Sequence, residues 1–254
     1  MLTVERRKEI LELLNKKGSV NVIELAEQYD LGKETIRRDL KALAQDWNIS
    51  LVYGGASIKS ALHPTSIKEQ TIIQKREENA ELKHKIAKAA VELINIGDII
   101  AMNSGSTVEY MLNYIENKVP LSIITTSINI ASKASMISGV DIYIPSGKIR
   151  NKSGMVISSN AENYLRNFRV QKCFFGVSAV SLGSHITHPA VEEVENNRAL
   201  LSISEKVYMV ADSSKFDKKS LYQLAKLGEM SGIITDKMLD EAYEMYFKNY
   251  RIKA

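Results

Sequence analysis

Gly32-Lys33-Glu34-Thr35-Ile36-Arg37-Arg38-Asp39-Leu40-Lys41-Ala42-Leu43 reads as a short amphipathic helix with one dry face. At about 100° per residue, Ile36, Leu40, Leu43 and Trp47 fall within an arc of roughly 60°, and Glu34, Arg38, Lys41 and Gln45 lie opposite. The apolar stripe docks and the cationic face looks outward. Upstream, Asn21-Val22-Ile23-Glu24 has the form of a capping box opening a second short helix, Ile23 to Tyr29, with Asp30-Leu31-Gly32 as the break between the two. Two helices joined so closely read as a helix-turn-helix. Thr35, Arg37, Arg38 and Lys41 have the chemistry to enter a major groove, where Arg reads guanine and Lys or Thr holds phosphate.

Working outward, residues 3–16 form a first helix capped by Thr3, with Ile10, Leu13 and Leu14 facing the hairpin and Lys16-Lys17-Gly18 ending it. Ile49 to Tyr53, Gly54-Gly55 and Ala56 to Ile58 read as strand, tight turn and strand, the wing of a winged helix. Charge alone does not settle the role of this region. Residues 1–60 hold ten Lys/Arg against nine Asp/Glu, and the whole chain carries a net charge of only +4. The motif decides: Glu34-Thr-Ile-Arg-Arg-Asp-Leu40 followed by Val52-Tyr53-Gly54-Gly55-Ala56 resembles the DNA-binding signature and glycine-rich wing of DeoR-type bacterial transcription regulators. The expected DNA-contacting set is Lys33, Thr35, Arg37, Arg38, Lys41, Tyr53, Gly54 and Gly55. Gly32 stands where the family usually has a Ser cap, and Asp46-Trp47-Asn48 where it usually has a glycine turn.

The chain's 254 residues are enough for two domains, and 44% hydrophobic with 25% charged residues is ordinary for a soluble globular protein. No run of eighteen apolar residues and no apolar leader occurs, so a cytoplasmic protein without membrane partners is expected. The single Cys173 lies in an apolar run and reads as a buried thiol. The expected organisation is a winged helix-turn-helix domain over 1–58, a linker over 59–65 around His63-Pro64, and an α/β domain over 66–254. Ser66-Ile-Lys-Glu69 has the form of a cap restarting a helical run to Ile94, with Ile86, Ala90, Leu93 and Ile94 at core spacing. Beyond Gly97, short β-rich runs alternate with helical ones. Strands are expected at 99–102, 122–125, 141–144, 172–177, 206–211 and 232–235. Helices are expected to about 117 and 136, near 161–168 and 191–202, and from 237. Runs such as Val207 to Ala211 are apolar on both faces, as in parallel strands under helices. The fold class is α/β with an N-terminal winged helix and a C-terminal open, mostly parallel doubly wound sheet.

In such sheets ligands bind beyond the carboxyl ends of the strands. Asn103-Ser104-Gly105-Ser106-Thr107 after the first strand offers backbone N–H groups, hydroxyls and a helix start, a phosphate cradle in outline. Thr126 and Ser127 follow the second strand, Ser146-Gly147-Lys148-Ile149-Arg150 the third, and Asp212-Ser213-Ser214-Lys215-Phe216 a later one, where the lysine meets the phosphate charge. From Gly97 to Asp236 the chain looks like the sensor domain of DeoR-type regulators. That resemblance implies a fold similar to ribose-5-phosphate isomerases and a phosphorylated sugar as effector. The expected effector-binding set is Asn103, Ser104, Gly105, Ser106, Thr107, Thr126, Gly147, Lys148 and Lys215. Asn103 stands where the family commonly has Asp, Thr126 where it has Asn, Pro145-Ser146 where a glycine precedes Gly147, and Gln171 where it has Asp; these changes bear on recognition of the sugar hydroxyls. His185-Ile-Thr-His188 with Glu192 and Glu193 could suggest a metal, but Pro189 places the histidines on a loop before a helix, and no metal or other cofactor is expected.

The function expected is sequence-specific DNA binding by a transcription regulator, most often a repressor in this family, acting on carbohydrate genes. Its partners would be an operator duplex, a sugar phosphate and further copies of the chain as dimer or tetramer, since one winged module touches few base pairs. The alternatives are a sugar-phosphate isomerase with an added N-terminal module, or a constitutive DNA binder with a degenerate sensor. Isomerisation through an enediol needs a positioned base, and the segment Gly176-Val177-Ser178-Ala179 carries no acidic residue where such isomerases place one.

Overall fold

The computed structural model describes residues 3–17, 19–46, 49–52, 54–58, 69–158, 160–183, 185–247 and 251–253. The chain divides into two compact units, Met1–Ser66 and Ile67–Ala254. The expected linker 59–65 lies outside the described residues, as do Trp47 and Tyr53.

The first unit runs α1 (Thr3–Lys17), β1 (Ser19–Asn21), α2 (Val22–Tyr29), α3 (Lys33–Asp46), β2 (Ile49–Val52) and β3 (Gly55–Ile58). Ile10 and Leu14 of α1, Leu25 of α2, and Ile36, Leu40 and Leu43 of α3 bury one small core. Asn21 caps α2 by accepting the Ile23 N–H at 2.7 Å, a single bond rather than the expected reciprocal box. The reason is that Asn21 also ends β1 and pairs with Gly55, so its backbone belongs to a sheet. That sheet has the order β1-β3-β2 and is antiparallel throughout. β1 escaped the sequence because three residues are too few for a period of two to register. Gly55 is required by this pairing: a Cβ there would lie 2.1 Å from the Val20 carbonyl oxygen.

The second unit is built on seven strands, all parallel, in the order β15-β14-β12-β9-β4-β5-β6. They are β4 (Ile99–Met102), β5 (Leu121–Thr125), β6 (Val140–Tyr143), β9 (Val170–Gly176), β12 (Ser204–Val210), β14 (Gly232–Thr235) and β15 (Arg251–Lys253). Side chains alternate between two cores. Cys173, Phe175, Val207 and Met209 face one, covered by α8 (Ala161–Leu165) and α9 (Val191–Ser202); Met102, Phe174, Tyr208 and Val210 face the other, covered by α5 (Ala80–Val91). Phe174 and Phe175 are fully buried, and burial of such a side chain stabilises by about 1.5–3 kcal/mol.

The helical run expected from Ser66 is instead two helices. A capping box of Thr71 and Gln74 opens α4 (Ile72–Glu77), and Asn79, at φ 53°, breaks the chain before α5. Glu69, read as part of a cap, forms ion pairs described below. Between the parallel strands lie antiparallel pieces too short to announce themselves: the hairpin β7 (Lys148–Arg150) and β8 (Met155–Ile157), and the sheet β10 (Ala179–Ser181), β11 (His185–His188) and β13 (Tyr222–Ala225). His185 to His188, expected on a loop, is therefore a strand. The last helix expected from Lys237 is the single turn α10 (Glu241–Glu244). No described helix is long and apolar enough to cross a membrane.

Candidate functional site

On the first unit, α3 turns Ile36, Asp39 and Leu40 inward and leaves Lys33, Arg37, Arg38 and Lys41 exposed, with Thr35 half-buried. Asp39 sits in the middle of the basic motif but points into the protein. Its two oxygens accept from Arg6 Nε at 2.7 Å and Arg7 Nε at 2.8 Å, which ties α3 to α1. A buried carboxylate needs such partners, because an unpaired charge there would be strongly unfavourable. Arg37 pairs with Glu34 one turn back, while Arg38 and Lys41 form no ion pair among the described residues. Arg37 and Lys41 flank a depression shared with Leu51, Gly54 and Gly55. Of the two expected wing glycines, Gly54 is exposed and Gly55 is buried against Val20 by the pairing described above.

On the second unit, the loop after β4 and the loop after β12 meet at one cavity of about 140 Å³. Asn103, Ser104, Gly105, Ser106, Thr107 and Lys215 all line it, although Lys215 is remote from the rest in sequence. Two glycines make the approach possible. A Cβ on Gly105 would stand 3.0 Å from the Gly176 Cα, and one on Gly176 would stand 3.1 Å from the Gly105 Cα, so the β4 loop lies directly on the end of β9. Asn103 fixes the same junction: its Nδ2 donates to the Gly176 carbonyl at 2.8 Å and its Oδ1 accepts the Gly176 N–H at 2.9 Å. An Asp could not make the first of these bonds. Gln171, another departure from the family pattern, lies at the opposite, amino-terminal end of these strands, where it accepts the Ile99 N–H at 2.8 Å and joins β9 to β4. Gly105 has no side chain to cap the following helical turn (Ser106–Tyr110), which leaves the first N–H groups open to a ligand.

The structure adds residues outside the expected effector set, of which His188 and Glu193 belong to the cluster considered for a metal. Glu69, Lys75 and Glu78 from α4 and the chain leading into it, Ser153 beside the β7–β8 hairpin, Ser178, His188 and Glu193 line the same cavity, together with Lys218. Arg150 Nη1 reaches Glu193 at 3.0 Å and also binds Glu69, whose second oxygen accepts from Arg150 Nη2 at 2.7 Å. Those hydrogen bonds hold the Glu69 carboxyl below its usual range. His188 Nδ1 lies 3.1 Å from the Ala190 carbonyl oxygen and 3.2 Å from the Ala190 amide nitrogen, and its Nε2 lies 3.4 Å from Glu193 Oε2. Burial pushes the His188 pKa down, against the opposing pull of Glu193, so the ring is neutral at pH 7. Burial first, and the neighbouring Lys215 cation as well, lower Lys75, while Glu193 acts in the other direction. Lys75 makes no ion pair or side-chain hydrogen bond among the described residues.

Three expected effector residues lie elsewhere. Thr126 is wholly buried behind the β8 hairpin, where its carbonyl accepts from Val156 N–H and its hydroxyl has no partner among the described residues. Gly147 serves the hairpin, since a Cβ would come within 2.6 Å of the Ile157 carbonyl. Lys148 is exposed on β7, and it is Arg150, two residues on, that turns toward the cavity carboxylates. His185 stacks edge-on with Tyr246 at 6.1 Å and does not join His188. The Cys173 thiol is pushed up to about 12 by complete burial and is unreactive.

Residues 6–61 match the DeoR-like helix-turn-helix domain, and residues 78–237 match the DeoR C terminal sensor domain. A putative aga operon transcriptional repressor of Escherichia coli O157:H7 is 31% identical over 234 residues, 92% of this chain and 86% of that protein. The glycerol-3-phosphate regulon repressor of Escherichia coli K12 is 27% identical over 236 residues, 93% and 92% of the two chains. Among solved structures, ribose 5-phosphate isomerase A from Methanocaldococcus jannaschii aligns with a TM-score of 0.41 and 18% identity over 55% of each chain.

Proposed function

The chain belongs to the DeoR family of DNA-binding transcription regulators, and on that premise we propose that it represses genes of carbohydrate use under the control of a phosphorylated sugar. The observation that carries the effector assignment is Lys75, a half-buried cation with no ion pair among the described residues, facing a cavity that also holds Lys215 and the Ser104–Thr107 loop. A phosphate ester supplies the missing charge and the acceptor oxygens that the hydroxyls and loop N–H groups require. His188, Glu193 and Ser153 remain for the sugar hydroxyls. The names of the two relatives, one a repressor of a glycerol-3-phosphate regulon, support this class of ligand. Operator contact is assigned to Lys33, Thr35, Arg37, Arg38 and Lys41 with Gly54 at the wing tip. The functional form is a cytoplasmic homo-oligomer that places two or more α3 helices on repeated half-sites.

The protein is not an isomerase on this reading. Glu193 is 2% exposed and held between Arg150 and His188, so its oxygens are occupied rather than poised to take a proton. The test is thermal denaturation of the full chain with a panel of phosphorylated sugars and their unphosphorylated parents. At a hundredfold excess over its dissociation constant a true effector adds about 2.7 kcal/mol of stability. That gain should be lost in a Ser104/Ser106/Lys215 triple alanine variant. A panel in which no phosphorylated sugar stabilises the protein, or in which the parents do so equally, overturns the proposal.

A further inference from the structure

The cavity carries an anion of its own where a phosphate would meet Lys215. Glu78 Oε2 lies 3.5 Å from Lys215 Nζ, and that oxygen is buried with no hydrogen-bond partner among the described residues. The carboxylate is therefore near enough to offset the lysine charge but makes no bond that would fix it there. Its side chain is 40% exposed, so it has a solvated position to move to; that of Lys215 is 15% exposed. The Glu78 backbone, by contrast, is anchored. It is the C-cap of α4, and the buried Lys83 donates to its carbonyl and to that of Lys75.

The other cavity carboxylates are already committed, since Glu69 and Glu193 share Arg150. Glu78 is thus the cavity carboxylate left to face Lys215.

We propose that Glu78 is a built-in competitor: in the empty cavity it stands in for the ligand at Lys215, and a phosphate group binds by displacing it. The device keeps Lys215 compensated when no ligand is present and lowers affinity, so that the cavity responds only once its ligand is abundant. This rests on the cavity being an anion site, and the experiment separates the two ideas. The full chain, its E78Q and E78A variants, K215Q and the double variant E78Q/K215Q are titrated with inorganic phosphate at pH 8 and constant ionic strength, with melting temperature as readout. E78Q and E78A should bind phosphate about tenfold more tightly than the wild type, and the E78Q gain should vanish in the K215Q background. Unchanged or weaker binding in both Glu78 variants, or a gain of equal size without Lys215, overturns the competitor while leaving the anion site standing. No stabilisation by phosphate in any of the proteins overturns both. Melting without phosphate reports the folding of each variant, and the Glu78 carboxylate can be removed without touching the backbone bonds to Lys83.

Discussion

Asp39 illustrates how a residue inside a functional motif can serve the fold. Between Arg37-Arg38 and Lys41 it looks like part of a charged surface, yet it is 1% exposed and bound to Arg6 and Arg7. Asp39→Ala leaves the nearly buried Arg6 without its partner, and breaking a buried pair in this way costs about 3–5 kcal/mol. The helix-turn-helix unit should then unfold first in a urea titration followed by circular dichroism, with the sensor unit keeping its own transition. A single unshifted transition would show that the pair contributes little. His188 gives a pH signature. Its pKa is lowered in the folded state, so its contribution is present above the unfolded value of about 6.5 and is lost as pH falls through that value toward the folded one. Glu69, also held low, acts only in the lower carboxylate range. Stability of the wild type should therefore decline from about pH 6.5 downward, by at most roughly 1.4 kcal/mol per unit, and His188→Asn should flatten that limb.

At the scale of elements, α3 separates two kinds of basic residue. Arg38 and Lys41 are exposed and make no ion pair among the described residues, whereas Arg37 is engaged with Glu34. Arg38→Ala should weaken operator binding by about 1–3 kcal/mol if it reads a base, and Lys41→Ala should reduce the slope of log affinity against log salt by about one unit if it contacts phosphate. Gel shifts across a salt series give both numbers. Unchanged values in a folded Arg38/Lys41 double alanine variant would move the DNA contact elsewhere. α4 plays the matching part in the sensor unit, where a capping box at one end and the Lys83 bonds at the other hold two turns rigidly enough to present Lys75 and Glu78 to the cavity.

For the molecule as a whole, the effector can control DNA only by binding unequally to the DNA-competent and DNA-incompetent arrangements. By linkage, the factor by which a sugar phosphate changes operator affinity must equal the factor by which the operator changes sugar-phosphate affinity. Fluorescence anisotropy of labelled operator with and without ligand, set beside ligand titrations with and without operator, should return equal factors. A ligand that stabilises the protein but leaves operator affinity unaltered would keep the cavity and reject the switch.

The sequence by itself determined the two-part architecture, the amphipathic α3, the parallel sheet and the Ser104–Thr107 loop. These depend on local periodicity and on apolar runs long enough to be unambiguous. The tertiary structure alone decided what those parts face. β1 and the β7–β8 and β10–β11–β13 pieces are three or four residues long and exist only because a partner strand completes their hydrogen bonds. Lys75 and Glu78 look like ordinary surface charges in a helical pattern, and His188 and Glu193 stand out only as a weak metal cluster; they become one site only when chain folding brings them to the same cavity. Asn103 and Gln171, departures from a family pattern when read in sequence, prove to be amides whose donor or acceptor groups bind neighbouring backbone. A side chain's chemical type is fixed by the sequence, but its partner is fixed by packing between segments far apart in the chain, and for buried polar groups the partner sets the role.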